Sequence, residues 1–331
     1  MKHRTEQQMM DLILGVAERD ERVRAVWING SRANPNAPRD QYQDFDIVYA
    51  VTDMQSMIGE PGWIDIFGER VIMQTRADQL DSDQPYEDWF NFMMQLLDGN
   101  RIDLTLVPLE LAAEVAQSDS LCRVLLDKDG ILPELPPPSD ENYWVKKPTE
   151  REYLCTCNEF LWVSTYVAKG IWRREMAYAN GMLSECVRPM LIKMVEWKIG
   201  LDNHFRVDTG KLGKYIERHL YSDQWQLFAA SFAGGNYEDM MKGLLSMGEL
   251  FRSCGREVGE ALGFDYPEED DLRVSAYIRC GGRFEKIEEL LNRARGPRRE
   301  EEPAPQDHQT VVVQQEEPPQ FRYRRMREGV K

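Results

Sequence analysis

Apolar positions along the chain keep two different rhythms. In residues 5–19, Met9, Leu12, Ile13 and Val16 recur at helical intervals among polar neighbours, which predicts an amphipathic helix. Arg24-Ala25-Val26-Trp27-Ile28-Asn29 is β-branched and aromatic and predicts a strand. Gly30-Ser31 closes it with a turn residue and a helix N-cap type, and the polar, proline-containing stretch 33–43 predicts a loop. Residues 45–51 and 71–75 read as further strands. The segments 92–97 and 101–107, either side of Asp98-Gly99-Asn100, have the apolar, turn, apolar grammar of a β-hairpin. Together these segments predict a small mixed sheet with helices, whose strand order the pattern does not give.

The segment Leu132-Pro133-Glu134-Leu135-Pro136-Pro137-Pro138 breaks regular structure, because each proline lacks a backbone donor and restricts its predecessor. Beyond it the rhythm is helical. Tyr153, Cys157, Phe160, Leu161, Ser164 and Val167 fall near one face, and similar patterns recur at 181–199, 211–230 and 237–262. We therefore expect an α+β chain, with a mixed-sheet domain over 1–135 and a helical bundle over 136–296. After Ile287-Glu288-Glu289-Leu290-Leu291 the apolar content falls, and Glu300-Glu301-Glu302-Pro303-Ala304-Pro305 predicts a disordered tail over 297–331. Docking of Val311-Val312-Val313 or of basic Arg322-Tyr323-Arg324-Arg325 on a partner, or on the acidic body, is the other reading of that tail.

Composition narrows the class without naming a chemistry. Of 331 residues, 42% are hydrophobic and 30% charged, which is ordinary for a soluble globular protein. There is no apolar run of about 18 residues, and Met1-Lys2-His3-Arg4 leads into polar Glu6-Gln7-Gln8, so we expect a cytoplasmic monomer that neither spans nor binds membranes. Six cysteines without Cys-x-x-Cys spacing, beside four histidines, favour neither zinc nor a disulfide framework. A net charge of −16 repels nucleic-acid backbones and anionic membranes and attracts cationic partners, although an acidic surface equally serves solubility.

Three features together point to phosphoryl chemistry. Residues two apart on a strand share a face, so Asp44 and Asp46 present two carboxylates side by side while Phe45 turns away. Adjacent anions need a cation, and Mg²⁺ is commonly held by one or two carboxylates together with substrate phosphates. Asp103, between Ile102 and Leu104, is a third strand carboxylate that placement beside this pair would satisfy. It would complete a two-metal site and could act as general base. Glycine after a strand lets backbone amides approach a phosphate, and Ser31 adds a hydroxyl at a helix start, so Gly30-Ser31 can cradle the triphosphate of ATP.

With these elements in this order, the chain resembles the polymerase-β-type nucleotidyltransferases. The blocks Asn29-Gly30-Ser31-Arg32-Ala33-Asn34, Asp44-Phe45-Asp46-Ile47-Val48 and Asp98-Gly99-Asn100-Arg101-Ile102-Asp103-Leu104 are similar to the aminoglycoside 6-adenylyltransferases, also called streptomycin adenylyltransferases. So are Cys157-Asn158-Glu159-Phe160-Leu161-Trp162-Val163, Tyr166-Val167-Ala168-Lys169-Gly170-Ile171-Trp172-Arg173 and Lys193-Met194-Val195-Glu196-Trp197-Lys198-Ile199-Gly200. The resemblance implies a polymerase-β-like sheet domain and AMP transfer from ATP to a hydroxyl of streptomycin, with pyrophosphate released and drug resistance as the outcome. It implies Asp44, Asp46 and Asp103 as metal and catalytic carboxylates. Gly30 and Ser31, with Arg32 beside them, become the nucleotide contacts. Related antibiotic nucleotidyltransferases take their general base from a glutamate elsewhere; here the choice falls on Asp103. Transfer to another antibiotic or a protein hydroxyl, or a nucleotide-binding regulatory role, are the competing functions.

Further candidates lie on the helix expected at 158–178. Lys169 could reach the triphosphate across the cleft, or be a surface lysine. Asn158, Glu159 and Trp162 combine an acid with an aromatic, which suits a guanidinium-bearing sugar; salt bridging and core packing are the alternatives. The acidic run Asp78, Asp81, Asp83, Glu87 and Asp88 could steer a polycation, or simply be solvated.

Overall fold

A computed structural model describes residues 2–80, 85–232 and 234–295; Asp81, Asp83 and the tail 297–331 lie outside them. The chain adopts the expected α+β class. Helix α1 (Glu6–Arg19) starts at a capping box between Thr5 and Gln8 and buries Met9, Ile13, Val16 and Ala17. Then follow β1 (Val23–Ile28), α2 (Gly30–Ala33), β2 (Phe45–Val51), α3 (Met54–Gly59), β3 (Arg70–Thr75), β4 (Phe90–Leu96), β5 (Arg101–Pro108), α4 (Leu109–Ser118) and β6 (Arg123–Asp127). The strands form one sheet in the order β3-β4-β5-β2-β1-β6. β2 and β5 pair in parallel, whereas the other neighbours are antiparallel.

Both faces of this sheet are covered. One carries Met9, Ile13, Phe45, Ile47, Ile102 and Leu104. The other packs Ala25, Trp27, Val48, Ala50 and Val107 against Ala112 and Ala116 of α4. A strand buried on both sides reads as a continuous apolar run, which is why β2 is buried throughout except at Asp46. The Tyr49 hydroxyl donates to the Ile13 carbonyl at 2.6 Å and pins α1 to the sheet.

The second half is helical: α5 (Glu150–Trp172), α6 (Met176–Gly181), a π-helical turn at Met182–Val187, α7 (Arg188–Asp202), α8 (Ser222–Ala230), α9 (Tyr237–Leu262), α10 (Glu268–Arg279) and α11 (Ile287–Arg295). Thr149 and Glu152 form a capping box at the start of α5, and all six apolar-face positions read from its sequence are buried. Phe160 of α5 stacks on Phe251 of α9 with centroids 3.8 Å apart.

The helix expected at 211–230 is not continuous. Gly210, Leu212 and Gly213 have φ of 72°, 58° and 74°, left-handed values that interrupt a right-handed helix, so its first half is broken into short 3-10 turns and only its second half, α8, is α-helical. Likewise α5 ends at Trp172 rather than running to 178, where Arg174 takes φ 62°.

A short connector joins the halves. Asp140 accepts hydrogen bonds from Asn36 Nδ2 at 3.0 Å and from Trp144 Nε1 at 2.9 Å, and the Val145 amide donates to the Val207 carbonyl at 2.9 Å. The segments 139–148 and 206–210 therefore lie together beneath the sheet domain's loops.

Candidate active site

Parallel pairing of β2 with β5 sets Asp46 opposite Asp103. Partners in register project to the same side of a sheet, so both carboxylates leave the same face, between buried Phe45 and Ile47 on one strand and Ile102 and Leu104 on the other. Asp44 immediately precedes β2.

The turn before α2 is built against this pair. The Asn29 amide donates to the Asp46 carbonyl at 2.9 Å. Gly30 then takes φ +67°, and a Cβ there would meet Asp46 Cγ at 3.1 Å and fall still deeper into Oδ2. Glycine is required twice over, by conformation and by contact. The Asn29 side-chain oxygen is buried without a hydrogen-bond partner.

Arg32 packs beneath the turn. It is 4% exposed, pairs with Glu6 at 3.0 Å, and donates to the Asp44 carbonyl at 3.0 Å and the Gln43 carbonyl at 2.8 Å. Its guanidinium also lies over the Phe45 ring at 3.8 Å. These bonds turn it inward and tie it to the backbone on either side of Asp44. Arg32→Met should leave two inward carbonyls unpaired and cost about 2–4 kcal/mol, read as a lower urea midpoint at unchanged m-value.

Arg101 faces the carboxylates. It holds Asp103 through two hydrogen bonds of 2.8 and 2.7 Å and reaches within 3.7 Å of Asp44. Asp103 thus has both oxygens engaged. Burial pushes the Asp44 carboxyl above its usual range, with Arg101 opposing. Asp46 rises further, to about 6, through burial and then through repulsion from Asp103 and Asp44. Among the described residues no three His, Cys, Asp or Glu side chains form a ready-made ion cage. The hard-oxygen pair Asp44 and Asp46 does fit an ion that takes its remaining ligands from phosphates.

The helical half supplies the opposite wall. A cavity of about 150 Å³ is lined by Gly30, Ser31 and Asn34 on one side and by Lys211, Lys214 and Tyr215 on the other. Lys214 lies close enough to lower the pKa values of both Asp44 and Asp46. This cavity shares Tyr143, Asp208, Gly210 and Lys211 with a larger one of about 610 Å³.

Residues 3–280 match the family described as streptomycin adenylyltransferase. The chain belongs to that family. It is thus an enzyme of the nucleotidyltransferase class, as its motifs suggested. It is 40% identical over 269 residues to the aminoglycoside 6-adenylyltransferase of Bacillus subtilis (strain 168), covering 81% of this chain and 95% of that protein. The aminoglycoside 6-adenylyltransferases of Campylobacter jejuni (37% identical, 83% and 95% covered) and Staphylococcus aureus (34%, 80% and 94%) are similar too. Among solved structures, an aminoglycoside 6-adenyltransferase from Bacillus subtilis aligns at 34% identity over 87% of this chain and 98% of its own, with a TM-score of 0.40. No helix among the described residues is long and apolar enough to cross a membrane.

The structure therefore brings Gly30, Ser31, Asp44, Asp46 and Asp103 together, and does not bring the α5 candidates to them. Glu152, in the first turn of α5, lines the larger cavity, but Lys169 is nearly five turns further on, about 25 Å along the axis, with its ammonium 4.7 Å from the Tyr166 ring centroid. Asn158, Glu159 and Trp162 are exposed and line neither cavity, and the Trp162 indole donates to the Tyr166 hydroxyl at 2.7 Å. Of the acidic run, Asp78 caps Thr75 and Asp88 pairs with Arg76. Sequence reasoning missed Lys211, Lys214 and Tyr215. The signal was Gly210-Lys211-Leu212-Gly213-Lys214-Tyr215, a glycine-punctuated lysine loop that a helical reading absorbed.

Proposed function

We propose that this enzyme transfers AMP from ATP to a hydroxyl of an aminoglycoside, the 6-hydroxyl of streptomycin first among them, releasing pyrophosphate and conferring resistance. The single observation that carries this reading is the Gly30–Asp46 contact. A phosphate-cradling turn is locked against a carboxylate pair inside a chain of the streptomycin adenylyltransferase family.

In this reading the Gly30-Ser31 amides and the Ser31 hydroxyl bind the triphosphate from one side, while Lys211 and Lys214 bind it from the other. Asp44 and Asp46 would hold Mg²⁺, whose chemistry is charge neutralisation at the phosphates and a lowered pKa of the attacking hydroxyl. Arg32 keeps Asp44 aligned from behind. Asp103 would take the acceptor's proton, a role that requires Arg101 to turn away from it.

Incubating the purified protein with ATP, Mg²⁺ and a panel of aminoglycosides tests this by mass spectrometry. Streptomycin is expected to gain the mass of one AMP with stoichiometric pyrophosphate. Turnover confined to another acceptor would move the substrate assignment, and no turnover with any of them would overturn the function. Lys214→Ala should raise the KM for ATP about tenfold, the effect of one charge-assisted phosphate contact, with the acceptor KM little changed.

A further inference from the structure

Between the connector and α7 lies the cavity of about 610 Å³, and its walls have a chemistry that phosphate binding does not use. Trp144 and Trp197 give it aromatic surface, and Glu152, Glu196 and Asp208 give it carboxylates. Four lysines also line it; Lys146, Lys147 and Lys211 are exposed, and the Lys193 ammonium stands 5.0 Å from the Trp197 ring centroid.

Two of its carboxylates carry hydrogen bonds but no ion pair among the described residues. Glu196 accepts one hydrogen bond, from the Thr209 hydroxyl at 2.9 Å, and Asp208 accepts one from the Gly210 amide at 2.7 Å. Neither is ion-paired within the described residues. Burial raises the Glu196 pKa against the Thr209 hydrogen bond, and Asp208 adds to it, while no lysine figures among the groups acting on it. Half-buried carboxylates that repel one another, in a space with aromatic walls, are complementary to an organic cation.

The position is right for an acceptor. Tyr143, Asp208, Gly210 and Lys211 belong to both cavities. A molecule seated in the larger cavity therefore lies next to the smaller one, which Gly30, Ser31 and Lys214 line.

We propose that this cavity is the acceptor site, with Glu196 and Asp208 holding a guanidinium or ammonium group of the acceptor and Trp144 and Trp197 covering its ring face. The proposal rests on the reading of the enzyme as an aminoglycoside adenylyltransferase. It goes further by assigning the cation contacts to α7 and the following loop and not to α5.

Binding and turnover test it separately. Streptomycin and ATP are each titrated against the full-length protein by tryptophan fluorescence and calorimetry, for the wild type, Glu196→Gln and Glu196→Gln/Asp208→Asn. The Kd for streptomycin is expected to rise about 10-fold in the single variant and about 100-fold in the double, with the Kd for ATP within twofold of wild type. Both variants remove repulsion, so melting temperatures at or above wild type confirm that they fold. Weakened ATP binding would give the cavity to the nucleoside and overturn the proposal, as would unchanged streptomycin binding. Because binding is measured without catalysis, absence of AMP transfer in the wild type would defeat the functional reading alone.

Discussion

Asp46→Asn is expected to lower AMP transfer by at least about 10³-fold and, in the same protein, to raise its thermal stability. The loss follows from removing the carboxylate that the Gly30 turn packs against and that pairs in register with Asp103, since transition-state charge stabilisation at such centres is worth about 3–4 kcal/mol or more. The gain follows from linkage. The Asp46 carboxyl titrates near 6 in the folded protein against 3.8 for the unperturbed group. Between those values the native site keeps a proton that the unfolded chain has released. Stability therefore falls as pH rises through this window, and the full penalty is present above it. Discounted for solvent screening, the penalty is about 1–2 kcal/mol at neutral pH, or about 2–4 °C in Tm. Melting curves at pH 4.5 and 7.5 without Mg²⁺ check it: the variant's advantage should be full at the higher pH and shrink to about a third at the lower. An equal advantage at both, or none at either, would contradict the electrostatic account.

Gly30→Ala should be nearly as damaging, for a steric reason. The residue keeps φ +67°, and its new methyl group would displace the Asp46 side chain, with Cγ already at 3.1 Å. Restoring contact distances moves the carboxylate away from Asp103 or tilts the turn away from the phosphates, and either shift costs alignment. A fall in kcat of about 10²–10³-fold is expected, with a loss of about 1–2 kcal/mol in stability from the left-handed conformation. Ser31→Ala, one residue on, removes a hydroxyl without moving the backbone, and should lower kcat/KM by no more than about 30-fold. If the two variants proved equally active, close packing of the turn on Asp46 would have no catalytic meaning.

How much of this could be read beforehand depended on whether a residue's role was local. Strand β2 coincides with its expected bounds because a strand buried on both faces leaves an unbroken apolar run, and the lone Asp46 within it is visible as an exception. Asp44 and Asp46 were legible from period-two geometry, whereas the setting of Asp103 beside Asp46 needed the parallel register of β2 and β5. Strand β6, with an exposed and irregular pattern at the sheet edge, and the short helices α3 and α4 carried too little periodicity to be seen. The lysine wall was lost because the left-handed residues at 210, 212 and 213 leave hydrophobic spacing intact while breaking the helix. Arg32 and Arg101 show the same limit, since their partners are fixed by long-range packing and not by neighbours. An acid beside an aromatic does line the larger cavity, at Glu196-Trp197 on α7, whereas Glu159 and Trp162 are exposed.

The apolar clusters of the sheet half and of the helical half share no residue, and Asp140 joins the two by bonding Asn36 in one and Trp144 beside the cleft. The reaction space therefore has no core of its own. It depends on the spacing of the sheet half and the helical half, and a small molecule that pried Asp140 from Asn36 would disarm the enzyme without approaching any of its carboxylates.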